Sequence, residues 1–396
     1  MKNNRTFLEK LLDGAEVEWK PLDEIANILN NARKPVKSSL RVSGNIPYYG
    51  ANNIQDYVEG YTHEGEFVLI AEDGSASLEN YSIQWAVGKF WANNHVHVVN
   101  GKEKLNNRFL YHYLTNMNFI PFLAGKERAK LTKAKLQQIP IPIPPLSVQT
   151  EIVKILDALT ALTSELTSEL TSELILRRKQ YEYYREKLLS EEELGKVGFE
   201  WKTLDEIFHL KNGYTPSKGI KEYWENGSIP WFRMEDIREN GRILNTALQK
   251  VSESAVKGRK LFPANSIIIA TSATIGEHAL ITIPFLANQR FTVLSLKPEY
   301  IDKFNIYFLY HYCFTLDDWC QKNTTMSSFA SVDMNGFRRF PIPIPPLSVQ
   351  TEIVKILDAF ETLTNSITEG LPLAIEQSQK RYEYYRELLL NFPGRE

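Results

Sequence analysis

Residues 140 to 158 read PIPIPPLSVQTEIVKILDA, and residues 341 to 359 repeat the same nineteen residues without change. An identity of that length is not accidental, so the chain has to fold as two related halves. Further matches extend the repeat. VEWKPLDEI at Val17 to Ile25 answers FEWKTLDEI at Phe199 to Ile207, and RKQYEYYREKLL at Arg178 to Leu189 answers QKRYEYYRELLL at Gln379 to Leu390. Between these frames only scattered anchors survive. Ile46-Pro47-Tyr48-Tyr49 answers Ile229-Pro230-Trp231-Phe232, Phe90-Trp91-Ala92-Asn93-Asn94 answers Phe285-Leu286-Ala287-Asn288-Gln289, and Leu110-Tyr111-His112-Tyr113 answers Leu309-Tyr310-His311-Tyr312. The offset grows from 182 (Val17 to Phe199) to 201 (Pro140 to Pro341), as surface insertions in the second copy would produce. Two homologous domains have diverged while their connecting segments have not, which fits one fold with two readouts better than a duplicated catalytic site. The N-terminal FLEKLL (Phe7 to Leu12) also resembles the ends of the two repeated segments, so the order is nearly circular and the chain start should pack beside the C-terminal helix.

The length of 396 residues supports this division, being too great for one ordinary core. A hydrophobic content of 43% with 12% aromatics fits packed cores rather than disorder. No stretch approaches the ~20 apolar residues of a membrane span and the N-terminus lacks an apolar signal core, so a cytoplasmic location is expected. Cys313 and Cys320 lie seven apart on an apolar helical segment and are expected to be reduced core residues.

The proline-rich PIPIPP is an extended connector that ends each domain. Helix should follow, from about Leu146 to Leu189 and Leu347 to Leu390, each on the order of 65 Å if fully formed. Val148, Ile152, Ile155, Leu159, Leu162 and Leu166 recur at steps of four and three, the seam of a helix packed on another helix, and Val349, Ile353, Ile356, Phe360, Leu363 and Ile367 repeat it. The first helix then carries three tandem copies of Thr-Ser-Glu-Leu, with Leu166, Leu170 and Leu174 four apart. Each copy adds about 6 Å and roughly 40° of rotation, so the tetrapeptide is a ruler with discrete settings. Gly370 and Pro372 predict a break or kink in the second helix near 369 to 372. The aromatic-basic ends (Tyr181, Tyr183, Tyr184, Arg185 and Tyr382, Tyr384, Tyr385, Arg386) read equally as seam residues or as a docking surface for another subunit.

A net charge of -2 excludes a chain coated in positive charge, so any nucleic-acid contact must be patchy. Arg33, Lys34, Lys37 and Arg41 occupy an acid-free stretch, and Lys126, Arg128, Lys130, Lys133 and Lys135 follow with only Glu127 among them. These suit phosphates. Base edges need amides, hydroxyls and guanidiniums on polar loops after β-rich runs. In the first domain Tyr49, Asn52, Asn53, Asp73, Ser75, Asn93, Asn94 and His95 are the candidates. In the second they are Thr215, Ser217, Lys218, Arg233, Thr271, Ser272, Thr274, Asn288, Gln289 and Arg290. His95 and His97 alternate on a predicted strand, yet no cysteine or carboxylate stands at ligand spacing, so no metal site is expected. A methyltransferase cofactor loop, an (Asp/Asn)-Pro-Pro-aromatic motif, a P-loop and His-Glu-x-x-His are all absent, and no catalytic residue is assigned.

Two diverged domains, each ending in IPIPPLSVQTEIVKILD and then a helix finishing in QYEYYREKLL or its near copy, resemble the specificity subunits of type I restriction-modification enzymes. The TSEL run resembles the tetrapeptide repeats of one subgroup of that family, and GYTPSKGIKEYWENGSIPW (Gly213 to Trp231) and FWANNHVHVV (Phe90 to Val99) resemble its recognition-domain segments. The chain departs from an unbroken second helix at Gly370 and Pro372. The resemblance implies a fold class of tandem α/β (α+β) target-recognition domains, at residues 1–144 and 191–345. Each is followed by a long spacer helix, at 145–190 and 346–396, and the two helices form an antiparallel coiled coil with pseudo-two-fold symmetry. It implies a non-catalytic chain that reads a bipartite site in double-stranded DNA through the major groove, with roughly six or seven unread base pairs between half-sites. It further implies that two methyltransferase subunits bring S-adenosylmethionine, and that restriction/translocase subunits bring ATP and Mg. The chain itself would bind none of these cofactors. A coiled-coil scaffold that binds proteins without reading bases is the alternative; a stand-alone methyltransferase is disfavoured by the missing cofactor loop.

Overall fold

The computed structural model describes residues 6–125, 129–256, 258, 260–326, 330–365 and 369–394. The chain divides into two compact units, residues 1–168 with 376–396, and residues 169–375. In the first, α1 (Phe7–Leu12) precedes β1 (Glu18–Pro21), the turn α2 (Leu22–Ile25) and β2 (Ala26–Ile28). Then come β3 (Ser43–Tyr49), β4 (Ile54–Val58), β5 (His63–Ala71), β6 (Ile83–Ala92), β7 (Val96–Gly101), α3 (Asn107–Thr115), α4 (Lys133–Gln137) and β8 (Pro140–Ile143). Six strands form one sheet in the order β2-β7-β5-β6-β3-β4, and β1 pairs with β8, so the proline connector is a strand that ties the domain's end to its beginning. Residues alternate across the sheet as strand geometry requires. Phe67 and Leu69 of β5 pack with Phe90, Val96 and Val98 on one face. Val68 and Ile70 join Phe109, Leu110 and Leu114 of α3 on the other.

The second unit repeats this frame. Its elements are α5 (Leu146–Leu188, shared with the first unit), α6 (Glu191–Gly195), β9 (Glu200–Thr203), α7 (Leu204–Ile207), β10 (Phe208–Asn212), β11 (Ile229–Phe232), α8 (Met234–Asn240), β12 (Ile243–Leu244) and β13 (Lys250–Val251). They continue with β14 (Ser266–Ala270), β15 (His278–Ile281), β16 (Leu286–Ala287), β17 (Phe291–Leu296), α9 (Ile306–Lys322), β18 (Thr324–Met326), β19 (Ala330–Val332), α10 (Met334–Arg338) and β20 (Pro341–Ile344). A five-stranded sheet runs β10-β17-β14-β15-β12, β13-β11-β16 form a second, and β9 pairs with β20. The anchors found in sequence are the same joints in both domains. Tyr48 pairs in parallel with Trp91 and Tyr49 with Ala92, as Trp231 pairs with Leu286 and Phe232 with Ala287. The single strand β6 becomes β15 and β16 here, and Pro284, which has no N–H to give a ladder, lies between them. Cys313 and Cys320 of α9 are buried free thiols, and burial pushes the Cys320 pKa up to about 12.

The long helices follow the expected spans, including the expected break in the second, with one correction. α5 is one uninterrupted helix of 43 residues, whereas the C-terminal segment is split into α11 (Leu347–Asn365) and α12 (Gly370–Leu390). Gly370 has φ of +80°, and a Cβ there would lie 2.6 Å from the carbonyl oxygens of Thr362 and Leu363, so only glycine fits this corner. Pro372 then stands in the first turn of α12, where its missing N–H has no helical partner to lose. The expected seam holds at Val148, Ile152 and Ile353, which are buried, and is displaced by one residue beyond them. Leu156 and Leu357 are fully buried, not Ile155 and Ile356, while Leu162 and Leu166 are exposed. The reason is that each helix serves its own domain first. Asp157 and Asp358, next to the buried leucines, accept hydrogen bonds from His112 and His311 at 2.8 Å, which fixes the rotation of the helix. Ile367 of the expected seam lies outside the described residues.

Within each unit two helical segments meet. In the second, Arg178 reaches the Thr364 carbonyl while Tyr181 and Tyr184 pack on Phe360, so α5 and α11 run antiparallel. In the first, Thr160 of α5 donates to the Tyr382 hydroxyl of α12, and Leu8 and Leu12 of α1 share a core with Leu389, Leu390 and Phe392. The start of the chain and its end are neighbours, as the circular order predicts. No helix among the described residues is long and apolar enough to cross a membrane.

Candidate DNA-reading surfaces

Gln149 and Gln350 explain why SVQTEI is written twice. Each is fully buried. Gln149 accepts from the Asn106 N–H at 2.9 Å and donates to the Lys104 and Pro144 carbonyls. Gln350 makes the same three bonds to Asn305, Lys303 and Pro345. Each amide satisfies three backbone groups that burial would otherwise leave unpaired, and it clamps the domain to the start of its helix. The repeated residues therefore fix each domain on its helix.

The candidate loops are knitted together in the first domain. Asn52 donates to the Gly74 carbonyl at 2.9 Å and accepts from the Ala76 N–H. Asp73 pairs with His95 at 2.5 Å. Asn93, buried, caps its own turn by accepting from the His95 N–H at 2.8 Å, and Ser75 bridges Ser77 and Ser82. Arg33 is spent inside the domain, where Nη1 reaches Glu72 at 2.7 Å and the Val96 carbonyl at 2.8 Å. Arg41 stacks on Tyr48 with its guanidinium 4.1 Å from the ring centre, and Tyr49 is buried against Phe90. The structure thus gives Arg33, Asn52, Ser75 and Asn93 the task of shaping loops. Asn53, Asn94, His95, Lys34, Lys37, Lys130 and Lys133 are exposed. Lys34 and Arg41 line a cleft of about 420 Å³ floored by Tyr48 and Trp91. Lys126 and Arg128 lie outside the described residues.

Electrostatics centre on Glu72. Burial raises its pKa, but Arg33 and Lys130 outweigh this and hold the carboxyl below its ordinary range. His97 is buried and desolvation lowers its pKa. Its Nε2–H donates to the Leu131 carbonyl at 2.7 Å, so Nδ1 is the acceptor for Asn30 at 2.8 Å, and the ring is neutral. His95 and His97 accordingly face different partners.

In the second domain six of the predicted residues meet in one cleft. Thr215, Lys218, Arg233, Asn288, Gln289 and Arg290 line a volume of about 810 Å³ with Trp224, Trp231 and Lys221. Asn288 repeats the role of Asn93: its N–H bonds the Phe232 carbonyl and its Oδ1 accepts from the Arg290 N–H at 3.0 Å. Arg233 lies over Trp231, its guanidinium 5.6 Å from the ring centre. Ser217 contributes its carbonyl to Trp224 Nε1, while Thr271, bonded to Thr292 at 2.9 Å, sits behind the cleft wall. Ser272 bridges Ser331, and Thr274 follows on the same half-exposed loop. Lys221, Trp224 and Gln249 were not singled out from the sequence as lining residues; of the three only Gln249 lies in a stretch, between the Ile229–Phe232 and Phe285–Gln289 anchors, that is much longer here than in the first half. The described residues that come close enough to share a metal are His311, Asp358 and Glu361, but His311 bonds Asp358 and Tyr310 donates to Glu361.

Comparison with known proteins agrees with this architecture. Residues 15–175 and 196–377 each match the family described as type I restriction modification DNA specificity domain. The chain is 63% identical to the putative type I restriction enzyme specificity subunit S.HindORF215P of Haemophilus influenzae, over 99% of this chain and all of that protein. It is 38% identical to the EcoR124I/EcoR124II specificity subunit of Escherichia coli, over 98% of this chain and 97% of the other. The crystal structure of the HsdS subunit from Thermoanaerobacter tengcongensis shares the fold at a TM-score of 0.55, with 16% identity over 96% of both chains. With two recognition domains on one repeated frame, the chain belongs to the family of type I restriction-modification specificity subunits.

Proposed function

We propose that each domain reads one half of a bipartite site in double-stranded DNA, entering the major groove with the loops at residues 50–53, 72–76, 93–95 and 129–133 in the first domain and with the walls of the 810 Å³ cleft in the second. The observation that carries this reading is the reuse of one joint for two chemistries. The same Asn turn, at Asn93 and Asn288, presents Asn94 and His95 in one domain and Gln289 and Arg290 in the other. Lys34, Lys37, Lys130, Lys133 and Lys218 supply phosphate contacts, whose energy depends on salt but not on sequence. Exposed Leu162, Leu166, Leu176 and the paired Tyr183 and Tyr384 suit docking of two methyltransferase subunits, which bring S-adenosylmethionine. Restriction/translocase subunits bring ATP and Mg. The chain contributes recognition, within a complex that methylates adenine at N6 or cuts DNA, and works in the cytoplasm.

The TSEL run supports membership of the subgroup whose central helix is adjustable. Deleting one TSEL unit shortens α5 by about 6 Å. Mapping methyladenine in cells that also make the cognate modification subunits should then show a changed gap with both half-sequences intact. Altered half-sequences at an unchanged gap would refute the reading.

A further inference from the structure

Glu72 lies where an acid is unfavourable. It ends β5 among the loops proposed to approach a polyanion, and a carboxylate there repels phosphates. The fold does not require it. At the same joint of the second domain stands Thr271: the Glu72 carbonyl accepts from Leu131 N–H and its N–H donates to the His95 carbonyl, exactly as many backbone bonds as Thr271 makes to Val332 and Arg290. There the surrounding polar set is neutral, Thr271 to Thr292 at 2.9 Å and Thr292 to Asn212 at 3.2 Å. In the first domain the corresponding set is Glu72, His97 and Asn30, with two cations added. Oε2 of Glu72 holds Arg33 at 2.7 Å and Oε1 holds Lys130 at 2.9 Å. The Glu72 and Arg33 side chains are both only 16% exposed, so this arm of the bracket is fixed and not a surface pair in free exchange, while Lys130, 45% exposed, forms its outer arm.

Three segments distant in sequence converge on this one side chain and its backbone. Arg33 carries the bracket to the Asn94 and Val96 carbonyls, Lys130 carries it to the strand-like bridge at Ala124, and the neighbouring Asp73 takes His95. Without the carboxylate, Lys130 would regain its rotamers and Arg33 would lose its partner, while the neutral bonds behind them would remain.

We propose that Glu72 is a positioning residue for specificity: by dividing its two oxygens between Arg33 and Lys130 it sets the geometry in which the first domain's loops meet their half-site. The proposal rests on the reading of these loops as DNA contacts. It assigns to the first domain a charged bracket that the second domain does without.

The test uses the full chain made together with its cognate modification subunits, with methyladenine mapped across the host genome. Replacing residues 208–340 with residues 26–139 first identifies the half-site of the first domain, as the half-sequence that then appears twice. Glu72→Gln should then lower modification at least tenfold or admit new bases in that same half, and leave the other half unchanged. Should Glu72→Gln fail to assemble, Glu72→Thr combined with His97→Thr rebuilds the neutral set of the second domain and should give the same one-sided result at a preserved melting temperature. An assembled complex in which Glu72→Gln leaves the first half as selective and as fully modified as the parent overturns the proposal. So does equal loss in both halves, which would mark Glu72 as a residue of general folding. If Lys37→Ala and Lys130→Ala also leave both halves untouched, it is the assignment of these loops to DNA that fails.

Discussion

The two recognition domains solve the same packing problem with different chemistry. Behind the loops of the first, a glutamate, a neutral histidine and an asparagine are joined by an arginine and a lysine. Behind the cleft of the second, two threonines and an asparagine close the same joint without charge. The backbone bonds around the two joints correspond one for one. Outside them, the domain-to-helix clamps are alike down to the residue: Gln149 and Gln350 make the same bonds, as do His112 to Asp157 and His311 to Asp358. Identity is thus kept in what orients each domain on its helix, and divergence includes the loops proposed to read DNA and the layer directly behind them. A chain that must change its target without changing its assembly would distribute variation in this way.

The clamps offer the strongest way to break that comparison. Gln149→Ala and Gln350→Ala each leave a buried N–H and two carbonyls without partners, which costs about 2–4 kcal/mol. Urea unfolding followed by hydrogen exchange should show losses of similar size, each confined to its own unit. A large effect from one glutamine and none from the other would mean that the identity of the repeated segments serves something other than this clamp.

Acid should separate the two joints. Burial holds the His97 and His112 imidazoles below their ordinary value of 6.5, as it does His63. The unfolded chain therefore binds protons first as pH falls, so the first unit's stability is full above about pH 6.5 and declines below it, toward the lowered folded values. Glu72 and Asp157 are displaced upward by burial and further downward by their cationic partners, for a net lowering. Their contribution persists above the ordinary carboxylate range and is lost only as pH falls through the lowered values. Thr292, in the place of His97, has no such proton to take. Hydrogen exchange at pH 7.5 and 5.5, corrected for intrinsic rates, should show residues 96–101 losing more protection than residues 291–296; equal losses would remove the distinction.

The smallest effect concerns one turn. Gly74 and Ala273 occupy the same left-handed position, at φ of +69° and +66°. Alanine is strained there, so Ala273→Gly should stabilise the second unit by about 0.5–1 kcal/mol, and Gly74→Ala should destabilise the first by a similar amount. Thermal unfolding of the two variants reads the signs directly.

The frame was legible because it is written twice: the two related halves, the extended proline connectors and the break at Gly370 all follow from repeat and pattern. From Ile155 and Ile356 onward the seam was read one residue out of place. Ile155 and Leu156 are equally apolar, and only the His112 to Asp157 bond, which is a long-range contact, decides which faces inward. Arg33 and Arg41 looked like phosphate contacts since nothing in the local sequence announces Glu72, 39 residues on, or Asp56 as their partners. Residue type grouped loop residues that the structure brings together but did not separate the side chains that build the loops from those exposed at their tips.

The central claim, that the diverged segment alone carries the sequence information, is tested most directly by replacing residues 208–340 with residues 26–139, which begin and end at the same joints of the repeated frame. Methyladenine mapping with the cognate modification subunits should then report one half-sequence used twice, with the original second half gone. Retention of the original second half-sequence by that chain would contradict the account.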